Sequence, residues 1–141
     1  MLSAYVTGEL TVTKKQRENL RMLFGGRCAY CGCELPEKGW HADHVEPIYR
    51  KIDRINGKVV ATSECFNPEK DTEDNLVPAC APCNLFKSVY SIEVFREEIK
   101  KQADRARKSS VNFRTAERFG MIELVDRPVV FWFEQYQQEV N

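Results

Sequence analysis

Four cysteines form two pairs with the same internal spacing, far apart in the chain. The first pair lies in the stretch CAYC and the second in CAPC, and the four residues are Cys28, Cys31, Cys80 and Cys83. Two residues between cysteines let both thiolates turn toward one tetrahedral ion at Zn–S distances of about 2.3 Å. Two such pairs supply four ligands, so the sequence predicts a closed, structural zinc site. Two redox-active dithiols or plain disulfides are the alternatives.

A second group of chemically useful residues lies between the cysteine pairs. His41 and His44 are the only histidines of the chain, and Asp43 stands between them. If one ion joins the two cysteine pairs, Asp43 and His44 approach Asn75 on a hairpin, and Asn84 opens the element that follows. Carboxylate and amide oxygens suit Mg²⁺ or Mn²⁺, and a histidine accepts a proton near neutral pH. A base and a hard cation are the minimum for hydrolysing a phosphodiester.

Each of these residues also has a purely structural interpretation. His44 could be a core histidine bonded to backbone, and Asn84 could cap the following helix. For His41, capping a strand is favoured over supporting the metal ligands. Several basic side chains are candidates for phosphate contacts, although such charges more often lie on a solvated surface. They are Arg50, Lys51, Arg54 and Lys87.

The elements that must position these residues can be predicted around the two cysteine pairs. Thr13 and Gln16 form a capping box for a helix that should end at Gly25–Gly26. Residues 39–48 are short and interrupted by a proline, which favours an extended segment entering a hairpin. Residues 50–73 carry an Asn-Gly hairpin signal and a polar stretch, and are interpreted as a long loop or small excursion inserted within that hairpin.

The C-terminal part is predicted to be an extension of helices and strands. Residues 91–108 have apolar side chains on one stripe, which predicts a single amphipathic helix. Residues 87–108 hold seven basic and four acidic residues, the one locally positive region. The extension, 109–141, is predicted to contain a short helix and then two apolar runs, interpreted as two strands or as one strand and an edge segment. The aromatics at 131–136 are interpreted as core residues, with stacking on bases as the alternative. Cys33 and Cys65 are interpreted as small apolar fillers.

Length and composition favour one small domain covering residues 1–141, with its core at about 13–100. The 21 basic residues equal the 21 acidic residues, so net charge does not indicate nucleic acid. No apolar run is long enough to span a bilayer, and the first residues lack the layout of a signal peptide. We therefore expect a cytoplasmic protein without a membrane partner, in which disulfides are rare.

Over about residues 13–100 the chain resembles the HNH endonucleases, the nucleases of the ββα-metal type. The resemblance lies in CAYC, DHVEP, EDNLVPAC and CAPCNLFK. It implies an α+β fold in which an antiparallel β-hairpin and a helix surround one divalent ion. A four-cysteine zinc site staples this core, and an N-terminal helix and the C-terminal helix/strand extension flank it. The last histidine of the family pattern is replaced by Asn84.

The resemblance also implies a role for each matching residue. His44 would be the general base, Asp43 and Asn84 would hold the catalytic Mg²⁺ or Mn²⁺, and the Asn75 side chain would pin the metal-bearing loop. The expected substrate is DNA, and the balanced net charge suggests that a larger DNA-handling complex delivers it. Two other functions stay open: a non-catalytic zinc module that binds nucleic acid or protein, and a thiol redox protein.

Overall fold

The computed structural model describes residues 12–140, without the side chains of residues 137–140. The first residues, on which the expectation of no signal peptide depends, lie outside this range. Within it, no helix is both long and apolar enough to cross a membrane. The elements in chain order are α1 (Lys14–Arg21), β1 (His41–His44), β2 (Arg50–Ile55), β3 (Lys58–Cys65), two 3₁₀ turns (Pro68–Lys70 and Glu73–Asn75), β4 (Leu76–Ala79), α2 (Ala81–Lys87), α3 (Ile92–Lys100), α4 (Gln102–Ser109), α5 (Val111–Arg118) and α6 (Trp132–Val140).

Two antiparallel sheets of two strands each, together with these helices, give the mixed α+β class that the sequence predicts. In the first sheet β1 pairs with β4, so that His41 lies opposite Ala79 and His44 opposite Leu76. All four residues of β4 are buried. This sheet therefore joins the chain after the first cysteine pair to the chain before the second.

The predicted capping box of α1 is confirmed, because Thr13 and Gln16 exchange side-chain and backbone hydrogen bonds. The helix ends at Arg21, earlier than the predicted Gly25–Gly26. Both glycines have positive φ, 73° and 79°, and lie in the turn beyond the helix. Glycine adopts this backbone conformation without steric cost, so the pair directs the chain into the first cysteine motif.

Most of residues 50–73, interpreted as a long loop or small excursion, form a β-hairpin whose turn lies at the Asn-Gly pair. The second sheet is a hairpin of β2 and β3, closed by a turn in which Asn56 and Gly57 have φ of 50° and 76°. Two successive positive φ values are those of a type I′ turn, the turn that Asn-Gly favours. The Asn-Gly pair indicated this turn, but the polar residues of both strands leave no apolar face from which the two strands could be predicted.

The described chain divides into two compact units, whereas the sequence predicted a single domain. The first unit contains the residues up to Ser91 and those from Phe131 onward, and the second is Ile92–Val130. In the second unit the predicted single helix is broken between α3 and α4. The side chain of Gln102 donates to the Glu98 carbonyl at 2.7 Å, at the point where a continuous helix would use the backbone N–H.

The predicted C-terminal strands are also wrong. Residues 121–131 form no β-ladder within the described chain, and the aromatic run after them is the helix α6. The backbone N–H groups of Trp132 and Phe133 donate to the carbonyls of Tyr30 and Ala29 at 3.0 and 2.9 Å. These two bonds dock the start of α6 on the first cysteine motif, so they replace a strand ladder.

Aromatic side chains form the core around that motif, as the sequence predicts. Phe131 is 1% exposed, and its ring stacks on Phe133 at a centroid distance of 5.9 Å. Tyr30 meets Phe131 edge-on at 5.6 Å. These rings surround the chain between Cys28 and Cys31 with packed apolar surface, which holds the motif in one conformation.

Candidate metal centre and catalytic site

Four thiols converge where the two cysteine motifs meet. The Sγ atoms of Cys28, Cys31, Cys80 and Cys83 all lie within 4.8 Å of one another. The Sγ atoms of Cys31 and Cys80 are 3.8 Å apart. In a tetrahedron with Zn–S bonds of about 2.3 Å the sulfurs stand about 3.8 Å apart. The donor set and its spacing therefore fit a four-coordinate zinc ion, as the cysteine spacing predicts.

The first motif is a tight turn that returns on itself. The Cys28 N–H donates to the Cys33 carbonyl at 2.8 Å, and Gly32 allows the turn with φ of 78°. A Cβ on Gly32 would lie 3.3 Å from the Trp132 ring, so the position is also crowded. The Ala29 N–H donates to the carbonyl of Pro78 in β4 at 2.8 Å, which fixes the turn against the first sheet.

The second motif begins a helix. Cys80 is the N-cap of α2, and Pro82 occupies the first turn, where a missing N–H costs nothing. A CxxC motif that opens a helix after the buried strand β4 is also the local layout of a redox dithiol. The two thiols of the first motif distinguish this site, because they complete a four-sulfur cluster.

The cluster already favours a thiolate before any cation is considered. A hydrogen bond from the Cys83 thiol, together with backbone N–H donors, lowers the pKa of Cys28 to about 4. The same shared proton raises the pKa of Cys83. The Tyr30 N–H is one backbone donor, 3.4 Å from the Cys28 sulfur. Since the thiolate is the form that binds zinc, these donors prepare the cluster for a cation.

Of the two remaining cysteines, Cys33 is not the buried apolar filler that the sequence suggested. Cys33 is exposed, and Cys65 is partly buried in β3. Desolvation is the main cause that raises the pKa of Cys33, to about 12, and hydrogen bonding to Cys31 is the second. Cys33 is therefore a protonated thiol at the rim of the cluster, held there by the turn that carries it.

Asp43 lies at the centre of a buried polar network beside the cluster. Its side chain accepts hydrogen bonds at Oδ2 from the Tyr30 hydroxyl at 2.5 Å and from Lys87 Nζ at 3.2 Å. Burial raises the pKa of Asp43, while Lys87 and Tyr30 act in the opposite direction. Burial and the neighbouring carboxylate raise the pKa of Tyr30, so its hydroxyl remains a donor.

Lys87 is part of this network, so its predicted contact with phosphate was wrong. The side chain is 0% exposed and cannot reach a ligand at the surface. Its Nζ donates to the His44 carbonyl at 2.8 Å and forms an ion pair with Asp43. A buried ammonium requires such partners, because an unpaired charge in the interior is very costly. Lys87 thus fastens α2 to β1.

The imidazole of His44 has a carboxylate partner that sequence reasoning missed. Its Nε2 lies 3.0 Å from Oδ1 of Asp71, and both side chains are 12% exposed. Asp71 belongs to the polar stretch after β3, and no spacing rule connects it to His44. Only the closure of the β2–β3 hairpin brings these residues together. A neutral ring that donates from Nε2 keeps its lone pair on Nδ1.

Asn75 clamps the chain immediately after β1. Its Oδ1 accepts from the Glu46 N–H at 2.9 Å, and its Nδ2 donates to the carbonyls of Glu46 at 2.8 Å and Lys70 at 2.7 Å. The Val45 N–H donates to the Asn75 carbonyl at 2.9 Å. The asparagine side chain therefore ties the residues after His44 to the residues around Asp71.

Asn84 lies inside α2, one turn before Lys87. It does not cap that helix, because Cys80 is the N-cap and the Asn84 N–H donates to its carbonyl at 3.0 Å. Residues three apart share a helix face, so Asn84 lies on the face that carries Lys87 toward β1. Its side chain is partly exposed, and no described residue forms a hydrogen bond with the amide.

The remaining site candidates occupy different positions. His41 begins β1 and is partly buried. Arg50, Lys51 and Arg54 all lie on β2, in the hairpin that follows His44. The structure therefore gathers Asp43, His44 and Asn75 with the cluster, and it places the three basic residues on an adjoining element.

No protein-family model, curated protein or solved structure matches this chain. The chemistry of the site therefore rests on the geometry of its own residues.

Proposed function

We propose that this protein is a metal-dependent endonuclease of the HNH type that hydrolyses DNA phosphodiester bonds. The observation that carries the proposal is the arrangement of β1, β4 and α2 around the cysteine cluster. An antiparallel strand pair is followed directly by a helix, and Asp43 and His44 stand at the end of the first strand. With the β2–β3 hairpin taken as an insertion between the two paired strands, this order supports the ββα arrangement that the resemblance implies, with a four-cysteine cluster beside it.

The residues available for a catalytic cation are consistent with this proposal. Hydrogen bonds from described residues reach only Oδ2 of Asp43, which leaves Oδ1 for another partner. The amide of Asn84 lies on the α2 face toward β1. Both groups are hard oxygen donors of the kind that Mg²⁺ and Mn²⁺ bind. When bound there, such a cation would neutralise charge that develops on the phosphate.

The protein's own side chains account for the other steps. Because Asp71 engages Nε2, His44 uses Nδ1 to accept a proton from the attacking water. Lys87 and Tyr30 hold Asp43 in one orientation, and Asn75 fixes the loop that follows His44. Each partner restricts a side chain that must be positioned before the phosphate arrives, and such preorganisation supports catalysis.

The test is cleavage of supercoiled plasmid by the zinc-loaded chain with added Mg²⁺ or Mn²⁺. We expect metal-dependent nicking that falls by about 10²- to 10⁴-fold in His44→Ala, the usual contribution of a general base. His41→Ala is the matched control, since it removes the only other histidine three positions away. Nicking that survives His44→Ala, or is lost equally in both variants, would contradict the assignment of the base.

A non-catalytic zinc module is the second candidate, and one observation favours it. His44 is only 12% exposed and pairs with Asp71, which also suits a histidine that stabilises the fold. In that case the protein would bind DNA or another protein, and would not cleave DNA whichever divalent cation is added. Wild-type protein that retains DNA on a gel but leaves plasmid intact would support the module over the nuclease.

A further inference from the structure

Two clusters of basic residues, one in the helices that follow Ile92 and one in the β2–β3 hairpin, differ in how their charge is compensated. In the helices of Ile92–Val130, every basic residue from position 92 to 108 has a carboxylate partner. The pairs are Arg96–Glu93, Lys100–Glu97, Lys101–Glu98, Arg105–Glu98, Arg107–Glu117 and Lys108–Asp104. The region that appeared most positive in the sequence is therefore largely neutralised by ion pairs, most of them with acidic residues of the same helices.

The β2–β3 hairpin shows the opposite arrangement. Positions 50–58 hold four basic residues and one acidic residue. Within the described chain, no carboxylate forms an ion pair with Arg50, Arg54 or Lys58. Lys51 has one partner, Glu64, at 3.6 Å, and that carboxylate is exposed. The hairpin consequently carries uncompensated positive charge, the electrostatic feature that attracts a polyanion.

The hairpin is fastened at its base beside the candidate site. Asn67 accepts from the Tyr49 N–H at 2.8 Å and donates to the Pro47 carbonyl at 2.9 Å, and the Phe66 N–H donates to the Tyr49 carbonyl at 2.8 Å. His44 precedes this base and Asp71 follows it, and the two side chains meet. The hairpin thus begins and ends at the residues proposed to move the proton.

Beyond its base the hairpin is exposed on both faces. Ile52 and Ile55 point to opposite sides of β2 and are 69% and 55% exposed. At about 3.3 Å per residue, the strands extend roughly 20 Å. A two-stranded β-ribbon of this kind fits the major groove of B-DNA, where cations near the rim meet phosphates.

We propose that the β2–β3 hairpin is an arm that binds duplex DNA, with Arg50, Arg54 and Lys58 contacting backbone phosphates next to the catalytic residues. The inference rests on the proposed function for the identity of the polyanion. The arm adds to the proposed function the structural element that binds the DNA. It also replaces net charge with local charge as the source of affinity, because the balanced total conceals an uncompensated arm.

The experiment compares two variants that lose the same charges. The arm variant is Arg50→Ala/Arg54→Ala/Lys58→Ala. The control is Arg105→Ala/Arg107→Ala/Lys108→Ala, which also removes two arginines and one lysine. Binding of zinc-loaded protein to a fluorescent duplex is measured by anisotropy without Mg²⁺, over about 50 to 200 mM salt. Circular dichroism and zinc content establish that each variant is folded.

Each phosphate contact contributes about −0.9 to the slope of log K against log salt. Loss of three contacts should reduce the slope by about 2.7, so the wild type should lose about 40-fold more affinity than the arm variant over this range. The control should keep the wild-type slope. The single reversal Lys58→Glu at the exposed turn provides a second test and should weaken binding in the same direction.

Equal slopes in the arm variant and the control would overturn the inference, since only total charge would then matter. Absence of duplex binding by the wild type would also overturn it, and the exposed aliphatic residues would then indicate a protein partner. Failure of the nuclease proposal can be distinguished from failure of the arm proposal, because the arm would then bind DNA that the protein does not cleave. Conversely, a nuclease whose arm variant binds and cuts normally would refute the arm alone.

Discussion

The buried pair of Lys87 and Asp43 allows a quantitative test of how the candidate site is held together. Lys87→Met removes the ammonium but keeps an apolar chain of similar length. The side chain is fully buried, and its Nζ contacts both Asp43 and the His44 carbonyl. Removing one member of a buried ion pair typically destabilises a protein by about 3–5 kcal/mol, because the other charge remains without compensation. We expect a loss of that size at neutral pH.

The loss should depend on pH with a defined sign. Burial already raises the pKa of Asp43 in the folded protein, and Lys87 opposes that rise. Because the pKa of Asp43 is higher in the folded than in the unfolded protein, protonation of Asp43 stabilises the folded state. This contribution to stability is complete below the unfolded pKa and is lost as pH rises through the folded pKa. Without Lys87 the folded pKa rises further. The deficit of the variant should therefore be greatest at neutral pH and shrink as acidification protonates Asp43.

Urea unfolding of zinc-loaded protein, followed by circular dichroism at pH 7 and again near pH 5, measures this difference. The wild type is compared at each pH, so that the effect of acid on zinc binding is shared. Asp43→Asn/Lys87→Met is the matched control, because it removes both charges and should recover much of the stability. A deficit below about 1 kcal/mol at pH 7, or one of equal size at both pH values, would refute the argument.

Three further predictions concern the other contacts of the site. Cys83→Ser should lower the zinc content below one ion per chain and reduce thermal stability, as measured by metal analysis and calorimetry; full zinc occupancy would contradict the four-thiol site. Asn75→Ala removes three hydrogen bonds of the clamp and should destabilise the fold by about 1–3 kcal/mol in urea unfolding, against less than half of that for Asn112→Ala at an exposed position of α5. Asp71→Asn should shift the neutral His44 ring from the Nε2–H toward the Nδ1–H tautomer, and should slow cleavage by about 10- to 100-fold. The tautomer can be followed by ¹⁵N NMR, because the chain has only two histidines. An unchanged tautomer would exclude Asp71 as the residue that orients the ring.

The parts of the structure that the sequence predicts are those set by short-range rules. Two residues between cysteines determine how thiols converge, and the cluster follows. Thr13 and Gln16 cap α1 because a capping box needs only residues three apart. The capping box depends only on neighbouring residues, and within each cysteine pair the spacing is local, so that one shared ion is the simplest way to join the two pairs.

The features that were missed depend on contacts between distant residues. Asp71 and His44 are 27 positions apart, and their encounter requires the whole hairpin between them to close. From the sequence alone, Lys87 is indistinguishable from a surface charge. The packing of α2 on β1 brings its Nζ within hydrogen-bond distance of the His44 carbonyl. The aromatic run of α6 resembled strands because alternation alone does not reveal that Tyr30 and Ala29 accept its first N–H groups.

Tyr30 connects the cysteine cluster to the candidate catalytic carboxylate, and this gives the zinc site a role beyond holding the chain together. The residue lies between Cys28 and Cys31, its N–H donates to the Cys28 sulfur, and its hydroxyl donates to Asp43. Its ring is packed against Phe131, so the side chain cannot swing independently of the turn that carries it. Any distortion of the cluster must therefore move the hydroxyl that orients Asp43. Lys87 lies at the other end of the helix that Cys80 caps, so both partners of the Asp43 carboxylate come from segments that carry cysteines of the cluster. The cluster is thus connected to the carboxylate by two chain segments, one ending in a hydrogen bond and the other in an ion pair.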